Sequence, residues 1–270
     1  MSVLLATRPH PGRDDDYVTF CEGVRRICGI DLLQYKRGQM ERRIRTFASN
    51  RGVTDLGAYL RRLHGDRAEL EAFLDRVTIN VSQLWRNPQE WVSLARDVLP
   101  ELAKAGRIRA WSAGSSYGAE AYTLAALMLD TVRGSAGEIL GTDIDPRMVA
   151  RAREGRFSAE DARSAPPEAL TRWFEQDGGE FVARRELKAL VRFETGDLLR
   201  MPFPEGRYDL VLCRNTVIYF TEDVRDALHE RLARSIRPGG YLLIGSTERV
   251  SNTAAVGLEV VRPFLYRKVA

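Results

Sequence analysis

Residues 107–128 read RIRAWSAGSSYGAEAYTLAALM: a buried-strand pattern, a turn holding Gly114 and Gly118, and the start of a helix. Such a turn lets a ligand approach the backbone closely, and amides at a helix N-terminus attract negative charge. A P-loop would need Gly-Lys-Ser/Thr to hold phosphates and magnesium, and the turn has none. A dinucleotide site wants G-x-G-x-x-G, whereas AGSSYG offers only Gly114 and Gly118. S-adenosylmethionine has no phosphate to cradle and tolerates a looser turn. Its amino acid end carries both charges and needs polar partners, and its ribose needs an acid at the end of the next strand. The segment ILGTDIDP puts Asp143 there, where two acceptor oxygens could take both ribose hydroxyls. Asp145 is expected to cap the helix that begins at Pro146. In ETGDLL, Asp197 follows the next strand, where an adenine amino group could donate to it.

The elements that must hold these groups change character along the 270 residues. Residues 1–14 lack the apolar run of a signal peptide and read as a loose tail, and no stretch is long and apolar enough to span a bilayer; the expected setting is cytoplasmic. Residues 15–80 show apolar residues at i, i+3, i+4 spacing and no convincing strand, which predicts a small helical domain. Asp16, Thr54 and Asp66 are its expected N-caps, and Gly29, Gly52 and Gly65 its stops. A linker with a connecting helix is expected over 81–106. From 107 to 270, strand-like runs (IRAWSA, EILGTD, VRFETG, YDLVLCRN, GYLLIGST) alternate with helices, which calls for a mainly parallel sheet covered on both faces. The tail LEVVRPFLYRKV follows a loop and is expected to pair antiparallel. Residues about 156–190 are too long for an ordinary connection, and QDGGEF looks like a hairpin turn, so this piece is expected as a small β-insertion. Cys21, Cys28 and Cys213 have neither disulfide nor zinc spacing and are expected reduced and buried.

The segments TINVSQLWRN, WSAGSSYGAEAYT, TDID, CRNTVIYF and GSTE occur in that order and together resemble the CheR family of chemotaxis receptor glutamate methyltransferases, over about residues 17–268. The resemblance implies an α/β, Rossmann-like S-adenosylmethionine-dependent methyltransferase sheet with a small all-α N-terminal domain and a small β-insertion. It implies that TINVSQLWR folds over the cofactor, with Asn80, Ser82 and Arg86 at contact positions. Gly114 belongs to the cofactor turn, Glu120 meets the methionine amino group, Asp143 holds the ribose, and Asp197 with Leu198 the adenine. Arg214 and Asn215 lie under the cofactor, and Tyr219 faces the transfer site. Where the family usually has a Cys-Ser-Thr-Gly-Glu-Glu-Pro-Tyr-Ser-like turn, this chain has SSYGAEAYT: Tyr117 stands for a small Thr, Ala119 for the first acid and Ala121 for the proline. The product would be S-adenosyl-L-homocysteine.

Methyl transfer from a sulfonium to a carboxylate needs no general base, since a glutamate of pKa about 4.3 is ionised at neutral pH. His10, His64 and His229 lie outside every motif, in keeping with that. The remaining work is positioning and desolvation, with Arg86 fixing the acceptor carboxylate by charge-assisted hydrogen bonds and Tyr219 orienting it.

The formal net charge is only +4, but YKRGQMERRIRTFASNR concentrates basic residues on one predicted helix, with Arg42 and Arg45 expected to point away from the core. The resemblance makes this helix the site that lies on acidic chemoreceptor methylation helices. Nucleic acid is the other acidic partner, yet no aromatic-rich RNA motif, zinc finger or Asn-Pro-Pro-Tyr-type signature accompanies the patch. The loop in FEQDGGEFVA is shorter than that of relatives that dock on a receptor's C-terminal pentapeptide, so no such tether is expected, and a monomer is assumed. Two other readings stay open: a non-catalytic relative that senses or scaffolds, and a nicotinamide-dependent oxidoreductase.

Overall fold

Carboxylates cap three of the four α-helices described between residues 15 and 78. Asp15 accepts from the Tyr17 amide at the start of α1 (Asp16–Cys28). After a 3-10 turn (Leu32–Gln34) come α2 (Arg37–Asn50), α3 (Leu56–Gly65) and α4 (Arg67–Val77), with Asp55 and Asp66 capping the last two. Two caps thus lie one residue from Asp16 and Thr54, because an Asp side chain reaches the amide two or three positions on and either neighbour satisfies the pattern. Gly29 ends α1 in the left-handed region, whereas Gly65 is the last residue of α3 rather than its stop.

The computed structural model describes residues 15–78, 80–132 and 137–269, so the tail expected over 1–14 lies outside the described residues. The chain divides into two compact units at residues 79 and 80. In the first, the rings of Phe20, Tyr59 and Phe73 pack stacked and edge-on. Beside them Glu69 is buried, bonded by Tyr59 (3.0 Å), Arg51 (3.1 Å) and Arg62 (3.0 Å). A carboxylate taken out of water is tolerable only when so partnered. Cys21 is buried, while Cys28 is half-buried with its thiol donating to the Val24 carbonyl.

The second unit begins at Asn80, so residues 80–106 pack with the sheet. They form α5 (Pro88–Ser93), a π-turn (Leu94–Val98) and α6 (Leu99–Ala103). The alternation follows: β1 (Arg109–Ala113), α7 (Ala119–Thr131), β2 (Glu138–Asp143), α8 (Pro146–Glu154). The insertion holds β3 (Arg156–Phe157), α9 (Pro167–Trp173), β4 (Phe174–Asp177), β5 (Glu180–Ala183) and α10 (Arg185–Lys188). Then come β6 (Val191–Thr195), β7 (Tyr208–Cys213), a 3-10 turn (Val217–Tyr219), α11 (Glu222–Ser235), β8 (Ile236–Ile244), β9 (Leu258–Arg262) and β10 (Leu265–Lys268).

The main sheet has the order β6-β2-β1-β7-β8-β10-β9, and its first five strands are parallel. β10 pairs antiparallel with β8 and with β9. The tail expected as one strand is therefore a hairpin, because Phe264 takes a positive φ of 66° and reverses the chain. Every residue of β7 is buried, as a central strand covered on both faces must be. The strand order runs outward from β1 through β2 to β6 and from β7 to β8, so it reverses between β1 and β7. Ligands of such sheets bind outside the carboxyl ends of the strands at that reversal. The insertion makes a separate antiparallel sheet, β3-β5-β4, with Gly178 and Gly179 turning the β4–β5 hairpin.

Candidate functional site

At the end of β1 the chain turns through Gly114 and Gly118, both at positive φ (80° and 85°). A Cβ on Gly114 would lie 2.5 Å from Thr216 Oγ1, and one on Gly118 would lie 2.8 Å from the Phe193 ring. Close packing of the fold requires both glycines. The turn's amides are also engaged: Gly114 and Ser115 donate to the Thr142 carbonyl, each at 2.9 Å, and Ser116 donates to Asp143 Oδ2 at 2.7 Å. The expectation that these amides face a ligand is corrected accordingly. The turn is a scaffold that fixes the end of β2 and, through it, Asp143.

Asp143 is buried, and its second oxygen accepts from the Asp145 amide at 3.0 Å. The Ile144 amide is directed at the same carboxylate, and a carboxylate's four acceptor directions leave one for a ligand hydroxyl. Burial raises its pKa, and the amides of Asp145 and Ser116 oppose that rise. Asp145 caps α8 by accepting from Arg147, as expected, and also accepts from Asn80 Nδ2 at 3.1 Å. The Gly196 amide donates to the Asp143 carbonyl (2.9 Å), which brings the end of β6 alongside. There Asp197 accepts from the Leu199 amide (2.8 Å), and Leu198 is buried. Arg231 binds the carbonyls of Leu198, Leu199 and Met201 and so fixes this turn.

Residues 80–87 form a strap pinned at several points. Leu84 donates to the Asp161 carbonyl, Trp85 donates to Thr123 Oγ1, and Gln83 bonds Ser164 and Arg163. Tyr117 is buried; its hydroxyl meets the Ser82 carbonyl and Asp161, and the Arg151 guanidinium lies 3.9 Å over its ring. Arg86 donates from Nη1 to the Val81 carbonyl at 3.0 Å, and its own carbonyl accepts from Trp91 Nε1.

The strap meets β7 at Arg214. This buried guanidinium pairs with Glu90 of α5 (2.6 Å) and Glu120 of α7 (3.2 Å), donates to the Arg86 carbonyl (2.8 Å) and lies over the Trp91 ring. Ser112 donates to the other oxygen of Glu120 at 2.7 Å. Arg214 thus faces two carboxylates, and the charge of Arg86 also reaches Glu90. Burial raises the pKa of Glu90, with Arg214 opposing. Asn215 follows in the left-handed region (φ 58°), and Tyr219 is half-buried at the end of the 3-10 turn.

The second unit thus gathers Asn80, Ser82, Arg86, Gly114, Glu120, Asp143, Asp197, Leu198, Arg214, Asn215 and Tyr219 along the carboxyl edge of its sheet. Arg42 and Arg45 belong to the first unit. Arg42 is exposed, with no ion pair among the described residues. Arg45 is forked onto Asp16 (2.8 and 3.1 Å) and also bonds Glu41, so its charge is largely met within its own unit. The sequence reading gave no role to Glu90, Trp91, Asp161 or Glu248. A half-polar helix such as PQEWVS gives no sign that its Glu turns inward, and only the pairing of Glu90 with Arg214 reveals it.

Several polar atoms at this edge lack a partner that S-adenosylmethionine could supply. Ser115 Oγ, Ser116 Oγ and Asn215 Oδ1 are buried with no hydrogen-bond partner, which is costly unless a ligand or water supplies one. Together with the buried Glu90–Arg214–Glu120 cluster and the carboxylate of Asp143 at the end of β2, the residues fit the group.

Fold and site together define a Rossmann-like S-adenosylmethionine-dependent methyltransferase. Residues 80–261 match the family described as CheR methyltransferase, SAM binding domain, and residues 15–78 match CheR methyltransferase, all-alpha domain. The chain belongs to the CheR methyltransferase family. It is 34% identical over 260 residues to a chemotaxis protein methyltransferase of Listeria monocytogenes, covering 96% of this chain and 99% of that protein. It is 30% identical over 249 residues to chemotaxis protein methyltransferase 1 of Pseudomonas aeruginosa, covering 88% and 91%. The protein of that name in Vibrio cholerae is 31% identical over 248 residues, covering 88% and 90%. The enzyme uses S-adenosylmethionine and acts in chemotaxis. Among the described residues, no helix is long and apolar enough to cross a membrane.

Proposed function

We propose that the protein methylates glutamate side chains on the cytoplasmic methylation helices of chemoreceptors. It does so in the cytoplasm, as a monomer, without a C-terminal pentapeptide tether and without binding nucleic acid. The observation that carries the assignment of roles is the Arg214 cluster, where Ser112 and Arg214 hold the Glu120 carboxylate at the start of α7, beside the end of β1. Glu120 receives the cofactor's ammonium, Asp143 its ribose, and Asp197 with Leu198 its adenine. Asn80, Ser82 and Arg86 close the strap over it. When bound, S-adenosylmethionine supplies a methyl group whose bond to sulfur breaks as the acceptor oxygen attacks, leaving S-adenosylhomocysteine.

The chain's own residues place the acceptor. Arg86 spends one N–H on Val81 and keeps others for a carboxylate, while the Tyr219 hydroxyl orients that carboxylate from the other side. Holding without full neutralisation preserves nucleophilicity. No proton has to be removed, because the acceptor glutamate is ionised at neutral pH. The one described histidine in the second unit, His229, is buried in α11.

Calorimetry with S-adenosylmethionine, S-adenosylhomocysteine and NAD, followed by labelled methyl transfer to receptor cytoplasmic fragments, tests this reading. Binding of the first two ligands and base-labile label on receptor glutamates is expected. Cofactor binding with no label on any receptor fragment would instead favour a sensor or scaffold.

A further inference from the structure

The GSTE segment follows β8, and its acid, Glu248, has no part in the roles assigned above. Glu248 is only 6% exposed, and no cation among the described residues pairs with it. Its oxygens accept instead from backbone amides: Gly245 at 2.6 Å, Asn215 at 3.0 Å and Val217 at 3.1 Å, with the Ile218 amide also directed at it. Three of these four amides belong to the loop between β7 and α11. That loop begins at Arg214, passes through Asn215 in the left-handed region and ends in the 3-10 turn that carries Tyr219. A Cβ on Gly245 would sit 2.8 Å from the Asn215 nitrogen and 2.8 Å from Glu248 Oε2, so the ends of β7 and β8 approach as closely as bare backbone permits.

Only a carboxylate suits this place. It is an acceptor at every lone pair, and four N–H donors converge on it; a carboxamide of the same shape would aim its own N–H groups at some of them. Without the acid, amides on both sides of Thr216 would be buried unpaired, and the left-handed turn at Asn215 would lose what over-determines it.

We propose that Glu248 is a positioning residue for methyl transfer, its carboxylate clamping residues 214–219 so that Asn215 and Tyr219 meet donor and acceptor in line. The clamp rests on the roles given to those two residues under the proposed function. It acts through the loop and touches no reacting atom.

The test compares wild type with Glu248→Gln, Tyr219→Phe and the double variant. In E248Q the amides of residues 215–218 should exchange with solvent at least about tenfold faster, as expected of a segment that opens locally. The kcat should fall by up to about 10²-fold, the scale on which small misplacements act, while KM for the receptor fragment hardly changes. The double variant should be little worse than Y219F alone, because both changes disturb one arrangement. Unchanged exchange in the loop would overturn the proposal. So would a kcat loss that simply multiplies with that of Y219F, or a lowered melting temperature with full kcat in the folded fraction. If E248Q does not fold, Glu248→Asp, which keeps the charge but withdraws it by one methylene, should show the same changes to a smaller extent, and its failure to do so would count equally against the clamp. If wild type transfers no methyl group, the proposed function falls by itself, and the exchange measurement still decides whether the clamp exists.

Discussion

Tyr117 is the most conspicuous departure from the family's usual turn, and its side chain is buried. It is held between Ser82, Asp161 and Arg151, so a residue that looked disruptive fastens the strap to the insertion. Tyr117→Phe removes two part-buried hydrogen bonds, each worth about 0.5–1.5 kcal/mol. The expected result is weaker binding of S-adenosylhomocysteine by calorimetry with little change in kcat at saturating donor. Arg86→Ala should do the reverse: methyl transfer is largely lost while the melting temperature holds, because its single hydrogen bond to Val81 lies at the exposed surface. Near-normal turnover in that variant would remove Arg86 from the mechanism. Asp143 was legible in the sequence because its position at a strand end carries chemical meaning by itself. The roles of Glu90 and Glu248 were not, because an acid on a short helix or in a loop after a strand looks like solvated charge until its partners are known, even where, as in GSTE, it stands in a quoted motif.

Helix α2 looks uniformly basic in sequence, but its arginines differ in the structure. Arg37 is paired with Asp15 and Glu41, and Arg45 with Asp16 and Glu41, whereas Arg42 is left exposed. Arg42→Glu should therefore lower receptor methylation, most strongly at low salt, with no change in melting. Arg45→Glu sets a third carboxylate beside Asp16 and Glu41. Losing surface pairs worth about 1 kcal/mol should lower the melting temperature of that unit by about 4 °C. Equal effects of both substitutions on methylation, with neither altering stability, would contradict the division of the helix into paired and unpaired charge. Helix existence and strand alternation were readable from periodicity, since burial of one face imposes it. The caps and the β9–β10 turn were less so. Asp15 and Asp16 are chemically equivalent candidates, and the turn depends on Phe264 adopting a conformation its residue type does not advertise.

At the scale of the whole molecule, acid sensitivity gathers at His229. It is 1% exposed, both ring nitrogens lack partners, and burial with Arg225 nearby pushes its pKa down to about 4, only partly opposed by Asp226. Between about 6.5 and 4 the unfolded chain binds a proton that the native one refuses, so native stability falls as pH falls through that window. Wild type should lose melting temperature relative to His229→Leu as pH drops from 6.5 towards 4, and the two should run parallel above 7. Parallel curves throughout would mean that the imidazole is not the group responsible. A different global property follows from the backbone. Among the described residues, five non-glycine positions have positive φ, and four of them (Trp85, Asn87, Ser116 and Asn215) lie on the strap, the glycine turn or the clamped loop. Each holds a conformation that costs an L-residue on the order of 1 kcal/mol and a glycine almost nothing. Laboratory evolution for heat tolerance alone would thus find glycine at Asn87, Ser116 or Asn215 among its first gains, though not at Trp85, whose ring is buried in the core, and the survivors would be sturdier proteins with blunted turnover.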